Sequence, residues 1–73
     1  MNLSDCNKDC VVKITKLNAK GALKDRLISF GLMKGTEIKV LEHAPAKSTV
    51  EIIVARTRLA LRREEAELIE VIK

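Results

Sequence analysis

The chain has no tryptophan, no tyrosine and a single phenylalanine, Phe30. A groove that reads proline-rich peptides is lined with aromatic rings, so that ligand class is not expected. Sequence-tolerant binding of single-stranded nucleic acid needs stacking platforms, which are missing too. There are two cysteines, Cys6 and Cys10, too few to staple a small secreted scaffold. A bridge between them would close a very short loop, so they read as reduced thiols outside the patterned core, dispensable for folding. The three glycines stand apart at positions 21, 31 and 35 and form no phosphate-cradling loop. The one histidine, His43, has no nucleophile beside it, and Ser4, Ser29 and Ser48 sit in no nucleophile motif. No catalysis and no cofactor are therefore expected. No apolar run approaches membrane-spanning length. Met1 to Cys6 lacks the basic-then-apolar order of a secretory signal, so a cytoplasmic location is the expectation.

What is present is apolar and charged in comparable measure. Seventy-three residues, 47% of them hydrophobic, suffice for one domain, 1–73, with a thin core in which each large side chain counts. The net charge is +4, which permits an acidic partner. Residues 1–26 carry six basic and three acidic side chains, residues 27–55 three of each, and residues 56–73 five and four. Arg56, Arg58, Arg62 and Arg63 make the densest basic cluster, directly before Glu64, Glu65 and Glu67. It reads as a solvated face in which Arg62 or Arg63 pairs with Glu65 or Glu67; a docking surface for an acidic patch is the sharper alternative. Duplex binding through phosphates alone would want a denser stripe.

Along the chain, Cys10 to Leu17 is rich in β-branched residues and predicts a strand. Ala22 to Phe30 predicts a helix, with Leu23, Leu27 and Phe30 on its inner face and Ile28 on the flank. Thr36 to His43 alternates, Ile38 and Val40 against Glu37 and Lys39, as a half-buried strand does. Pro45 cannot donate to a ladder, so Ala44 to Ser48 is a connection. Strands follow at Thr49 to Ala55 and Arg56 to Leu61, then one helical turn at Arg63 to Glu67, then a closing strand from Leu68 to Ile72. The expected class is mainly β with short helices. Several short strands in so small a chain must close to protect their edges, and a small SH3-like β-barrel does so economically.

Metal binding has one candidate set. Cys6 and Cys10 have three residues between them, are flanked by Asp5 and Asp9, and would share a face if the stretch were helical. His43 could add a nitrogen. One cysteine pair supplies only half of a closed site, so no metal site is assigned.

The most specific segment is Leu27-Ile28-Ser29-Phe30-Gly31-Leu32-Met33-Lys34-Gly35. Gly31 fits the left-handed residue that ends a helix, and Gly35 a tight turn into the next strand. With Ala44-Pro45 and Leu59-Ala60-Leu61-Arg62-Arg63-Glu64-Glu65-Ala66, in this order and spacing, the chain resembles the ferrous iron transport protein A family (FeoA), from about the first strand to the C-terminus. Leu27, Gly31, Gly35, Ala44, Pro45, Leu59, Leu61, Arg62 and Ala66 match the family pattern. Ala46-Lys47-Ser48-Thr49 departs from the Gly-Asp-Pro-like turn frequent there.

The resemblance implies an SH3-like fold and a cytoplasmic accessory protein of ferrous iron uptake. Its partner would be a membrane ferrous iron permease carrying a GTP-binding cytoplasmic domain, reached by protein–protein contact; membrane contact would come only through that partner. Related domains end metal-dependent repressors, and a chain of this length is not expected to be a whole repressor. The expected contact surface is the helix-to-strand corner, Ile28, Met33 and Lys34, with Lys24 and Arg26 beside it. The alternative is a small basic barrel that binds nucleic acid or a ribosomal surface.

Overall fold

A computed structural model describes residues 1–73, apart from the side chain of Lys47. It contains five strands, β1 (Val11–Leu17), β2 (Glu37–Ala44), β3 (Thr49–Val54), β4 (Thr57–Arg62) and β5 (Ile69–Ile72), and two helices, α1 (Gly21–Ser29) and α2 (Arg63–Ala66). The five strands form one antiparallel sheet in the order β4-β3-β2-β1-β5. Two register shifts bend it, between Ile14 and Lys16 against β5 and between Val40 and Glu42 against β3. Such irregularities sharpen twist and let a small sheet curl on itself. The result is the SH3-like barrel expected from the strand pattern.

Alternation places the core. Val12, Ile14, Ile38, Val40, Val50, Ile52, Val54, Leu61, Ile69 and Val71 are each at most 1% exposed, one face of every strand turned inward. The N-terminus, unassigned in the strand pattern, fills the remaining gap. Leu3 sits in a 3-10 turn (Leu3–Asp5) capped by Asn2 and is fully buried. Asn2 bridges to Glu70, and the Val71 N–H donates to the Met1 carbonyl, so the first residues extend the sheet beyond β5. Among the described residues no helix is long and apolar enough to cross a membrane.

The helix-to-strand corner forms as the glycines require. Gly31 has φ +91°, in the left-handed region, just past the Phe30 cap. The Leu32 N–H donates to the Leu27 carbonyl at 3.1 Å and the Gly31 N–H to the Ile28 carbonyl at 2.9 Å, the paired closure of a Schellman motif. This turn corrects the expectation for Phe30. The helix stops at Ser29, so its period no longer applies at residue 30. Leu32, returned over Leu27 by the turn, takes the buried place, and Phe30 stays 38% exposed.

Candidate functional site

The corner and the second half of β1 enclose a groove of about 460 Å³, lined by Thr15, Lys16, Leu17, Lys24, Ile28, Met33 and Lys34. Each wall has a local origin. The Schellman turn ends α1 just beyond Ile28 and leaves that side chain facing the groove. The next turn, closed by the Thr36 N–H on the Met33 carbonyl at 3.0 Å and by Gly35 at φ +91°, holds Met33 and Lys34 outward. Thr15, Lys16 and Leu17 form the floor, where β1 is paired only with β5; the Thr15 hydroxyl donates to the Glu70 carbonyl at 3.2 Å. Ile28 is 38% and Met33 49% exposed, an apolar centre ringed by three lysines.

Four of the five residues expected at a contact surface, Lys24, Ile28, Met33 and Lys34, therefore line one groove. Arg26 does not. It turns to the other side of α1, where its guanidinium lies 5.9 Å from the centre of the Phe30 ring and 3.4 Å from the Glu65 carboxylate. Glu65 is 7% exposed and also accepts the Arg62 backbone N–H at 2.9 Å, so one carboxylate ties α1 to the start of α2. This corrects the expected pairing of Glu65 with an arginine side chain of its own segment: Arg62 contributes its backbone, and the ion pair comes from α1. The reason is geometric. A single helical turn reaches back to its own first N–H, while the arginine side chains beside it are exposed to solvent. Thr15, Lys16 and Leu17 were not expected in the groove, since they read as ordinary strand residues; only tertiary pairing leaves that end of β1 without β2 beside it.

The basic cluster is dispersed. Arg58 forms a two-nitrogen contact to Glu51 on the neighbouring strand, at 3.1 and 2.9 Å. Arg56 sits at φ +68° in the β3–β4 hairpin loop. The exposed lysines of the groove make the more concentrated positive rim.

The cysteine expectation also changes. Cys6 is 3% exposed and belongs to the core; Cys10 is half-buried and packs against it; both are free thiols. Burial, with Cys10 close by, pushes the Cys6 thiol up to about 11. The His43 ring N–H donates to the Cys6 carbonyl. His43 is thus committed to the backbone rather than aimed with the two sulfurs at one point. Among the described residues no group of three or more histidine, cysteine or acidic side chains is arranged to hold a metal ion.

Comparison with known proteins follows the same lines. The chain is 35% identical over 68 residues to a protein described as Fe(2+) transport protein A from Helicobacter pylori, covering 92% of this chain and 90% of that one. It is 30% identical over 71 residues, 97% of its length, to a segment amounting to 8% of an Fe(2+) transport protein A/Fe(2+) transporter FeoB fusion protein from Porphyromonas gingivalis. Among solved structures, the FeoA protein of Chlorobium tepidum superposes with a TM-score of 0.90 at 35% identity, over 97% of this chain and 68% of that one. The FeoA of Stenotrophomonas maltophilia, described as a prokaryotic SH3 domain protein and solved with zinc, gives 0.83 at 28% identity, over 97% and 88%. The model of the FeoA domain matches residues 1–73, and with these relatives it establishes that the chain belongs to the FeoA family of proteins associated with ferrous iron transport.

Proposed function

We propose that this chain is a cytoplasmic accessory module of ferrous iron uptake that catalyses nothing itself and acts by docking on the cytoplasmic part of a ferrous iron permease. The observation that carries the reading is the groove at the helix-to-strand corner, where Lys24, Ile28, Met33 and Lys34 converge on an exposed apolar centre. The fusion of a similar domain to the transporter FeoB in Porphyromonas gingivalis supports the choice of partner, because linkage in one chain raises the effective concentration of two parts that must meet. A groove of this size supports a small, transient contact, well below about 1,200 Å² of buried surface. The nucleic-acid alternative has less support, with Arg58 occupied by Glu51 and no aromatic platform beside the lysines.

The test is a titration of the permease's cytoplasmic portion, in nucleotide-free, GDP-bound and GTP-analogue-bound forms, with wild type and Met33→Asp. Wild type is expected to bind and the variant to bind at least tenfold more weakly, since about 1.4 kcal/mol at a central apolar contact gives that factor. No binding by wild type to any form would remove the partner assignment for that portion. Binding unchanged by Met33→Asp would keep the partner and remove the surface.

A further inference from the structure

The chemistry of the groove says more about its occupant than that it is a protein. Resting on the docking role proposed above, we infer that the groove receives an extended acidic segment of the partner that carries an apolar side chain.

Charge is the first argument. Lys16, Lys24 and Lys34 stand on three sides of the groove: on β1, on α1 and on the turn. No acidic residue lines it, and among the described residues none of these lysines has a carboxylate within ion-pair distance. The chain does pair cations elsewhere, Arg26 with Glu65 and Arg58 with Glu51. Three like charges gathered around one apolar spot repel each other and are complemented by carboxylates from outside. The second argument is the apolar centre. Leu17, Ile28 and Met33 present apolar surface at the centre, and methionine adapts its shape to an incoming side chain.

The third argument is the backbone. β1 pairs with β2 only over Val11, Val12 and Lys13. The last bonds on that side run between Ile14 and the turn residues Gly35 and Thr36. Beyond Ile14 the preceding chain swings away towards α1. Thr15 to Leu17 lie beside β5 alone, with no strand on their other side. An extended segment laid there continues the sheet where β2 leaves it, the geometry of strand addition. Its alternate side chains then point to opposite faces: the apolar set rests on Leu17, Ile28 and Met33, and the acids flanking each apolar residue come within reach of the long lysine side chains at the rim of the same groove.

Two measurements test this. The first titrates the permease's cytoplasmic portion with wild type, with Lys16→Gln/Lys24→Gln/Lys34→Gln and with the corresponding triple Glu variant, at low and high salt. Three exposed ion pairs predict that the Gln variant binds about tenfold more weakly and the Glu variant weaker still, with the wild-type advantage shrinking at high salt. Binding that ignores both salt and the lysine changes would overturn the acidic occupant while leaving the docking role intact. The second measurement needs no permease. In an NMR titration with the blocked peptide Glu-Asp-Leu-Glu-Val-Asp-Leu-Glu, the expected shifts fall at Thr15 to Leu17, Ile28, Met33 and Lys34. They should be absent with Lys in place of each acid and reduced with Ser in place of each apolar residue. Shifts confined to other regions, equal response to the basic peptide, or no peptide response alongside tight binding to phosphatidylglycerol vesicles would each overturn the proposal.

Discussion

Cys6 shows how much one buried side chain contributes to so small a fold. It lies three residues beyond Leu3 and, like it, is sealed by the N-terminal turn, and its backbone carbonyl is held by His43. Burial opposes formation of the thiolate, so the native thiol holds its proton to about 11, against 9.0 for an unburied thiol. Between those two values the unfolded chain has released a proton that the native chain keeps, so unfolding is favoured as pH rises. We expect stability in urea to fall from about pH 9 to about pH 11 in wild type. In Cys6→Ala that component of the fall should be missing, on top of a lower stability at every pH, because a buried side chain is truncated. Parallel pH profiles for the two proteins would mean that Cys6 is solvated in solution. The same burial predicts slower alkylation of Cys6 than of half-buried Cys10.

At the scale of elements, the turns hold most of the unusual backbone. Gly31 and Gly35 occupy left-handed positions with a residue suited to them. The β3–β4 hairpin does not. Val54 faces Thr57, so Ala55 and Arg56 make a two-residue loop, and both have positive φ, +49° and +68°. That is the pattern of a type I′ turn, which favours Asn-Gly because a Cβ in this region costs about 1–2 kcal/mol per residue. Tight pairing of β3 with β4 along six residue pairs holds the loop in place. Replacing Ala55→Asn together with Arg56→Gly should raise the unfolding free energy by about 1–2 kcal/mol, read from chemical denaturation at constant m-value. No gain would mean that the loop relaxes to another conformation. The connection after Pro45 solves its own problem differently: Ser48 takes the left-handed position at φ +51°, and its carbonyl accepts the Arg63 N–H at 2.8 Å, anchoring the first turn of α2.

For the whole molecule, the distribution of burial sets an order of stability. β2 and β3 lie inside the sheet, each with a neighbour on both sides, and their inward residues Ile38, Val40, Val50 and Ile52 are at most 1% exposed. Helix α1 buries only Leu27 completely, has no side-chain cap at its start, and is tied to α2 by one exposed arginine on Glu65. Regions with little buried apolar surface open at lower free energy than the core. In hydrogen exchange, the amides of Val40, Val50 and Ile52 should be the slowest and those of the last turn of α1 clearly faster. Equal protection of both would contradict a lightly held helix. A helix that opens easily beside the groove also suits a surface that must adapt to a partner.

Much of this was legible in the chain. Alternation in residues 36–43 and 56–61 placed two strands because a sheet buries every second residue, and the β-branched run of residues 49–55 placed the strand between them. The glycines at 31 and 35 located the corner because their backbone angles tolerate few other residues. The groove was legible only in part. Ile28, Met33 and Lys34 could be placed at an exposed corner from local pattern. The contribution of Thr15, Lys16 and Leu17 depends on where β2 stops pairing with β1, which no local window records. Arg26 and Lys24, two residues apart on α1, fall on opposite sides by helix geometry alone, but the carboxylate that Arg26 meets there, Glu65, is distant in sequence. Phe30 and Cys6 went the opposite way from expectation for one reason: burial at the ends of elements is decided by which segment closes over them. Local sequence determined the elements and turns through periodicity and backbone freedom; the tertiary fold alone decided which charges were paired and which remained open at the groove.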